Sequence, residues 1–170
     1  RYRQHIWTTT SSMSFMEVIA WVEQRAKSGN RIIAIDPITA AHHSGRKRHE
    51  EEALFVVAMG KIAVEYDTSI FILMHPAKNT NADGLDDLAG SARFGQLTQC
   101  VIKLTAHEEK ESDVFVPGFK ITEPKLHNRT MEIKKSRNGP GNGKLLAYSF
   151  TDRFQLKEHG LIVKKKKDKK

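Results

Sequence analysis

Three short, largely apolar runs constrain this chain more than any other feature: residues 31–35 (RIIAI), 69–74 (SIFILM) and 100–105 (CVIKLT). Their apolar residues are contiguous rather than alternating with polar ones. Each therefore reads as a strand buried on both faces, as in parallel sheets covered by helices. Helical patterns accompany them. In residues 15–27 (FMEVIAWVEQRAK), Phe15, Val18, Ile19 and Val22 share one face, Ser14 and Glu17 form a capping box, and Gly29-Asn30 supplies a stop. A longer helical pattern runs from about Glu50 to Tyr66, and the small-residue turn Gly90-Ser91-Ala92 leads into a short third helix. Residues 77–90, rich in Asn, Asp and Gly, read as a loop. The order strand, helix, strand, helix, strand predicts an α/β fold with a mostly parallel sheet and flanking helices. Ligands in such folds sit beyond the carboxyl ends of the strands.

The second half has a different texture. Residues 107–113 (HEEKESD) read as a charged surface connector. Residues 128–135 and 144–150 read as two strands around Asn138-Gly139-Pro140-Gly141-Asn142-Gly143, which predicts a C-terminal β-hairpin appended to the sheet. Residues 153–163 close the domain ahead of a lysine tail.

At 170 residues and 39% hydrophobic content the chain is long enough for a real core, so a disulfide-stapled miniature is excluded. The lone Cys100 cannot form an internal disulfide, which points to a reducing compartment. No apolar run approaches the roughly eighteen residues a spanning helix needs, so no membrane partner is expected. The net charge is +8, but the segment Lys164–Lys170, with six lysines and one aspartate, carries +5 of it. A solvated tail is the plain reading, with diffuse attraction to polyphosphate as the alternative.

Two polar residues fall directly after apolar strands, where α/β physics places active sites. Asp36 could reach a magnesium ion from a rigid strand end, although an Asp capping the following turn is the equally simple reading. His75 could contact a γ-phosphate, although a turn histidine bonded to backbone, beside Pro76, would look the same. Lys135 and Arg137 alternate along the hairpin and could offer positive charge to a phosphate in this subunit or a neighbour. A basic edge strand that resists aggregation is the competing explanation. Arg46, Lys47 and Arg48, with Lys78 and Asn79, could touch a nucleic-acid backbone; Glu50, Glu51 and Glu52 nearby would neutralise an ordinary solvated loop. No aromatic lies in these loops, so base stacking is not supported.

The order of these features carries more weight than any one of them. IIAIDPITAA (32–41), IFILMHPAKN (70–79), DLAGSARF (87–94) and KKSRNGPGNG (134–143), the last followed by LLAYSF and Arg153-Phe154, stand in sequence. Over roughly residues 5–155 the chain resembles the C-terminal part of a RecA-type motor domain, nearest to the hexameric replicative helicases of the DnaB, Twinkle and phage primase-helicase kind. The four segments resemble, in turn, the Walker B strand, a strand ending in a phosphate-sensing residue, the Asp-Leu-x-Gly-Ser stretch, and the Lys-x-Arg-Asn-Gly hairpin.

The resemblance implies a RecA-like core over 1–155 and a C-terminal extension over 156–170. It implies ATP and Mg2+ as cofactors. Asp36 would hold the metal, His75 would sense the γ-phosphate, and Lys135 and Arg137 would reach ATP in the adjacent subunit of a hexameric ring. It implies single-stranded DNA as partner, with Arg46, Lys47, Arg48, Lys78 and Asn79 on channel loops and Arg93 near them. It implies work in DNA replication in the cytoplasm of a bacterial or phage-infected cell. No G-x-x-x-x-G-K-[ST] loop occurs in the chain, which opens on Arg1 rather than Met. The expectation is a motor fragment whose phosphate loop and catalytic glutamate lie upstream, and which alone is inactive as an ATP hydrolase. Pro37, in place of the aromatic residue common there in DnaB proteins, leaves open a non-helicase RecA-like ATPase, such as a plasmid replication, KaiC-like or RadA-like protein. A degenerate nucleic-acid-binding assembly module is the third alternative.

Overall fold

The computed structural model describes residues 12–43, 45, 47–75 and 92–163, without the side chains of residues 92 and 93. The chain divides into two compact units, 1–98 and 99–170.

In the first unit, helix α1 (Phe15–Lys27) begins where its sequence says it should. The Ser14 hydroxyl accepts from the Glu17 N–H, and the Glu17 carboxylate takes the Ser14 N–H at 2.7 Å. Those hydrogen bonds hold the Glu17 carboxyl below its ordinary range. The apolar stripe Phe15, Val18, Val22 and Ala26 turns inward. Strand β1 (Ile32–Ile35) runs parallel to β2 (Ser69–Ile72), with Ile35 opposite Ile72. A short 3-10 turn (Ile38–Ala40) and helix α2 (Arg48–Glu65) connect them, and α3 (Ala92–Leu97) follows. One continuous core joins Phe15, Val22, Ile33, Ile38, Phe55, Met59 and Phe94. Phe55 sits at its centre, with ring centroids 5.3 Å from Phe15 and 6.2 Å from Phe94.

The second unit is a closed four-stranded antiparallel barrel of β3 (Cys100–Val116), β4 (Ile121–Ser136), β5 (Leu145–Phe150) and β6 (Leu156–Ile162). β3 and β4 form a long ribbon, β5 adds to β4, and β6 pairs with β5 before meeting β3 at Val114 and Phe115. The interior is thin, with Val114, Ala147, Gly160 and His127 buried. Gly160 (φ +128°) sits where β6 crosses β3; any Cβ there would run into the Phe115 carbonyl. Close approach of two backbones is what requires glycine at this position.

The α/β class holds, but four local expectations do not. To begin with, β1 and β2 are not buried on both faces, since Ile32, Ala34 and Phe71 are exposed while Ile33, Ile35, Ile70 and Ile72 face the core. The run 100–105 is not a third parallel strand; it pairs antiparallel with β4. Its side chains alternate between exposed and half-covered instead of being buried on both faces. The segment 107–113 is not a connector but the middle of β3, with Lys110 opposite His127 and Glu111 opposite Leu126. A ribbon wet on its outer face needs no apolar run, so polar content there does not exclude a strand. The hairpin 128–135/144–150 forms, but within the barrel rather than as an appendage of the parallel sheet.

Candidate strand-end and hairpin sites

Asp36 and His75 emerge from the carboxyl ends of two neighbouring parallel strands. Strand neighbours lie about 4.8 Å apart, so the two ends form one local surface. Pairing continues beyond the strands: the Leu73 N–H donates to the Ile35 carbonyl at 2.9 Å, and the Ile38 N–H donates to the Leu73 carbonyl at 3.1 Å. Ile38 is buried and fixes the chain just after Asp36, which precedes a cis peptide to Pro37. Asp36 and His75 are both exposed, open to a ligand rather than committed to the core.

Beneath these ends lies a cavity of about 30 Å³, room for one or two waters. Its polar wall is made by His43, Arg48 and Glu52, and its apolar wall includes Ile38, Met74 and Phe94. Glu51 and Glu52, in the first turn and a half of α2, have side chains only 3% exposed. His43 Nδ1 lies 3.0 Å from Glu51 Oε2, and Arg48 Nε donates to Glu52 Oε1 at 2.8 Å. His43 also stacks on Phe15, centroids 5.0 Å apart. The acidic triplet at 50–52 reads from sequence as neutralising charge on a loop, and two of its members are buried instead. The detectable signal was period: the inward stripe Phe55, Val56, Met59 and Ile62, extended backward by one turn, lands on Glu51 and Glu52.

Of the basic positions expected on channel loops, Lys47 is the N-cap of α2 and exposed, and Arg48 opens the helix with its side chain 63% exposed. Arg46, Lys78, Asn79 and the side chain of Arg93 lie outside the described residues, as does the segment Lys164–Lys170.

In the barrel unit, Lys135 pairs opposite Val101 near the end of β4, and Arg137 lies one residue past the strand. The Arg137 N–H donates to the Gln99 carbonyl at 3.0 Å, which extends the ladder to that residue. The tip then folds back: Gly143 (φ +76°) donates its N–H to the Ile133 carbonyl at 2.8 Å. Burial holds the Lys135 ammonium below its ordinary pKa, and the neighbouring Arg137 charge pushes the same way. The two cations are close enough for the charge of one to act on the other. Among the described residues no group of three His, Cys, Asp or Glu is placed to cage a metal, and no helix is long and apolar enough to cross a membrane.

No protein-family model and no curated protein matches the chain. Solved structures do match. One of them, described as an "ATPase Domain", superposes with a TM-score of 0.62 at 18% identity, covering 87% of this chain and 52% of that one. The chain thus spans about half the length of the matching structure. At this identity the likeness speaks to architecture alone.

Proposed function

We propose that this chain is the C-terminal part of a RecA-like motor from a ring-forming replicative DNA helicase, which hydrolyses ATP at subunit interfaces and moves on single-stranded DNA. In this reading residues 1–155 belong to the ATPase core, and the extension over 156–170 begins with β6, which closes the barrel against β3 and β5. One observation supports it above the others: an exposed carboxylate, Asp36, and an exposed imidazole, His75, stand at the carboxyl ends of adjacent parallel strands. That is where α/β folds bind ligands.

Magnesium keeps several waters and takes one or two carboxylates together with substrate phosphates. A single strand-end Asp, with no self-sufficient cage among the described residues, fits such an ion. Asp36 would hold it, and the bound ion would neutralise charge on the triphosphate. His75 would hydrogen-bond the γ-phosphate. Lys135 and Arg137 would bring charge to ATP across a subunit boundary, where stabilising the transferring phosphoryl group is worth several orders of magnitude in rate. Lys47 and Arg48 would meet the nucleic-acid backbone.

The test begins with the native gene upstream of the Arg1 codon, where a G-x-x-x-x-G-K-[ST] loop is expected; a native gene without one ends the enzymatic reading. In the complete protein, Arg137→Ala is expected to abolish DNA-stimulated ATP hydrolysis while nucleotide binding persists. Normal turnover in that variant would remove the trans role of the hairpin.

A further inference from the structure

The turn between β4 and β5 contains two Asn-Gly steps, Asn138-Gly139 and Asn142-Gly143. All four residues are exposed, so water reaches both steps alike. What separates them is the hydrogen bonding of the glycine nitrogen. The Gly143 N–H donates to the Ile133 carbonyl at 2.8 Å, and the Ile133 N–H donates back to the Lys144 carbonyl at 3.0 Å. The second step is thereby clasped onto β4. The first step has no such restraint. Among the described residues nothing accepts from the Gly139 N–H, and no hydrogen bond holds the Asn138 carboxamide. Pro140 lacks an N–H and cannot carry the ladder further there. A glycine has no Cβ to shield its nitrogen or to narrow its backbone freedom.

We propose that Asn138 is a site of spontaneous deamidation in the folded chain, and that Asn142 is protected from it. The Gly139 nitrogen attacks Cγ of Asn138. The N–Cγ bond forms, the Cγ–Nδ2 bond breaks, and Nδ2 leaves as ammonia with the proton from Gly139. Water then opens the cyclic imide, leaving aspartate or isoaspartate at position 138. A neutral carboxamide becomes a carboxylate one residue from Arg137. At Asn142 the same attack first requires the bond from Gly143 to Ile133 to open. The modification stands on the geometry of the turn. Its consequence rests on the trans-charge reading given above: the new negative charge subtracts from what Lys135 and Arg137 bring to ATP.

The experiment incubates the 170-residue chain at mildly alkaline pH, folded and in parallel in concentrated urea, with circular dichroism confirming the two states. Trypsin, cutting after Arg137 and Lys144, releases residues 138–144 as one peptide, and tandem mass spectrometry assigns the amide-to-acid mass gain to Asn138 or Asn142. In the folded chain Asn138 is expected to convert about tenfold faster than Asn142, since one hydrogen bond must open before Gly143 can react. In urea that bond is gone, and the two rates are expected to agree within about twofold. Equal rates in the folded chain, a faster Asn142, or an unmodified Asn138 once the urea sample has reacted overturns the proposal. In the complete protein, Asn138→Asp is expected to slow DNA-stimulated ATP hydrolysis about threefold, the effect of one opposing charge about 6 Å away in water. Unchanged turnover in that variant removes the consequence for ATP and leaves the modification site standing. If Arg137→Ala also turns over normally, the trans-charge reading itself fails.

Discussion

Gly160 offers a sharp test of the barrel that presents Lys135 and Arg137. A methyl group added there would collide with the Phe115 carbonyl oxygen and approach Val114 Cγ1 to 3.0 Å, at a backbone φ of +128°. A non-glycine residue held at such an angle costs about 1–3 kcal/mol, and overpacking against fixed backbone about 1–3 kcal/mol more. A loss of about 4 kcal/mol is most of the stability of a small unit. With a urea slope of about 1.5 kcal/mol/M, Gly160→Ala should lower the barrel's midpoint by about 2–3 M, followed by the β signal in far-ultraviolet circular dichroism. Tryptophan fluorescence follows the first unit separately, since both tryptophans, Trp7 and Trp21, belong to it. Gly118→Ala is the matched control: nothing lies within 4 Å of its added Cβ, so its midpoint should stay within a few tenths of a molar of the parent. Equal midpoints for the two variants would refute the close crossing of β6 over β3.

Other consequences can be checked alongside. His75→Ala in the complete protein should uncouple ATP hydrolysis from unwinding while changing stability by less than about 1 kcal/mol, because the side chain is exposed; a large drop in thermal midpoint would make it a structural residue instead. His127 is fully buried and His159 half-buried, and desolvation pushes both imidazoles below the ordinary value of 6.5; for His127 a hydrogen bond to the Arg129 carbonyl opposes this and the Lys110 charge adds to it, and for His159 Lys157 and Lys125 add to it. Their neutral forms stabilise the fold, so barrel stability should be constant above about pH 7 and fall as pH drops below 6.5 through the depressed values. Urea midpoints that rise on acidification would contradict this, and His127→Gln should flatten the decline. Ser14→Ala removes the α1 cap and should cost about 1 kcal/mol, or roughly 4–8 °C in the Tm reported by tryptophan fluorescence.

How far the fold was legible varies along the chain for physical reasons. Residues 15–27 were readable to the residue because cap and period agree: Ser14 and Glu17 mark the start, and Phe15, Val18 and Val22 face the core as their spacing demands. β1 and β2 were readable because Ile33, Ile35, Ile70 and Ile72 pack against the core cluster or belong to it, which only apolar residues tolerate. β3 was not, because a strand's polarity reports its exposure rather than its hydrogen bonding; His107, Glu108 and Glu109 form a bulge in the β3–β4 ladder, which resumes at Lys110, and the stretch is largely wet. The strand-end positions of Asp36 and His75 followed directly from the two apolar runs. The buried roles of Glu51 and Glu52 did not, since burial of a carboxylate depends on a histidine and an arginine brought to it by the fold.

Closure of the barrel makes Leu156–Ile162 its keystone. These seven residues are the last in the ladder, yet they seal β5 on one side and β3 on the other. Trimming the chain at residue 155 would not shorten a tail; it would open two seams at once, and unsealed strand margins recruit strands from other molecules. A clone ending there would be prone to self-stick, and its behaviour in solution would say little about the hairpin cations it was made to study.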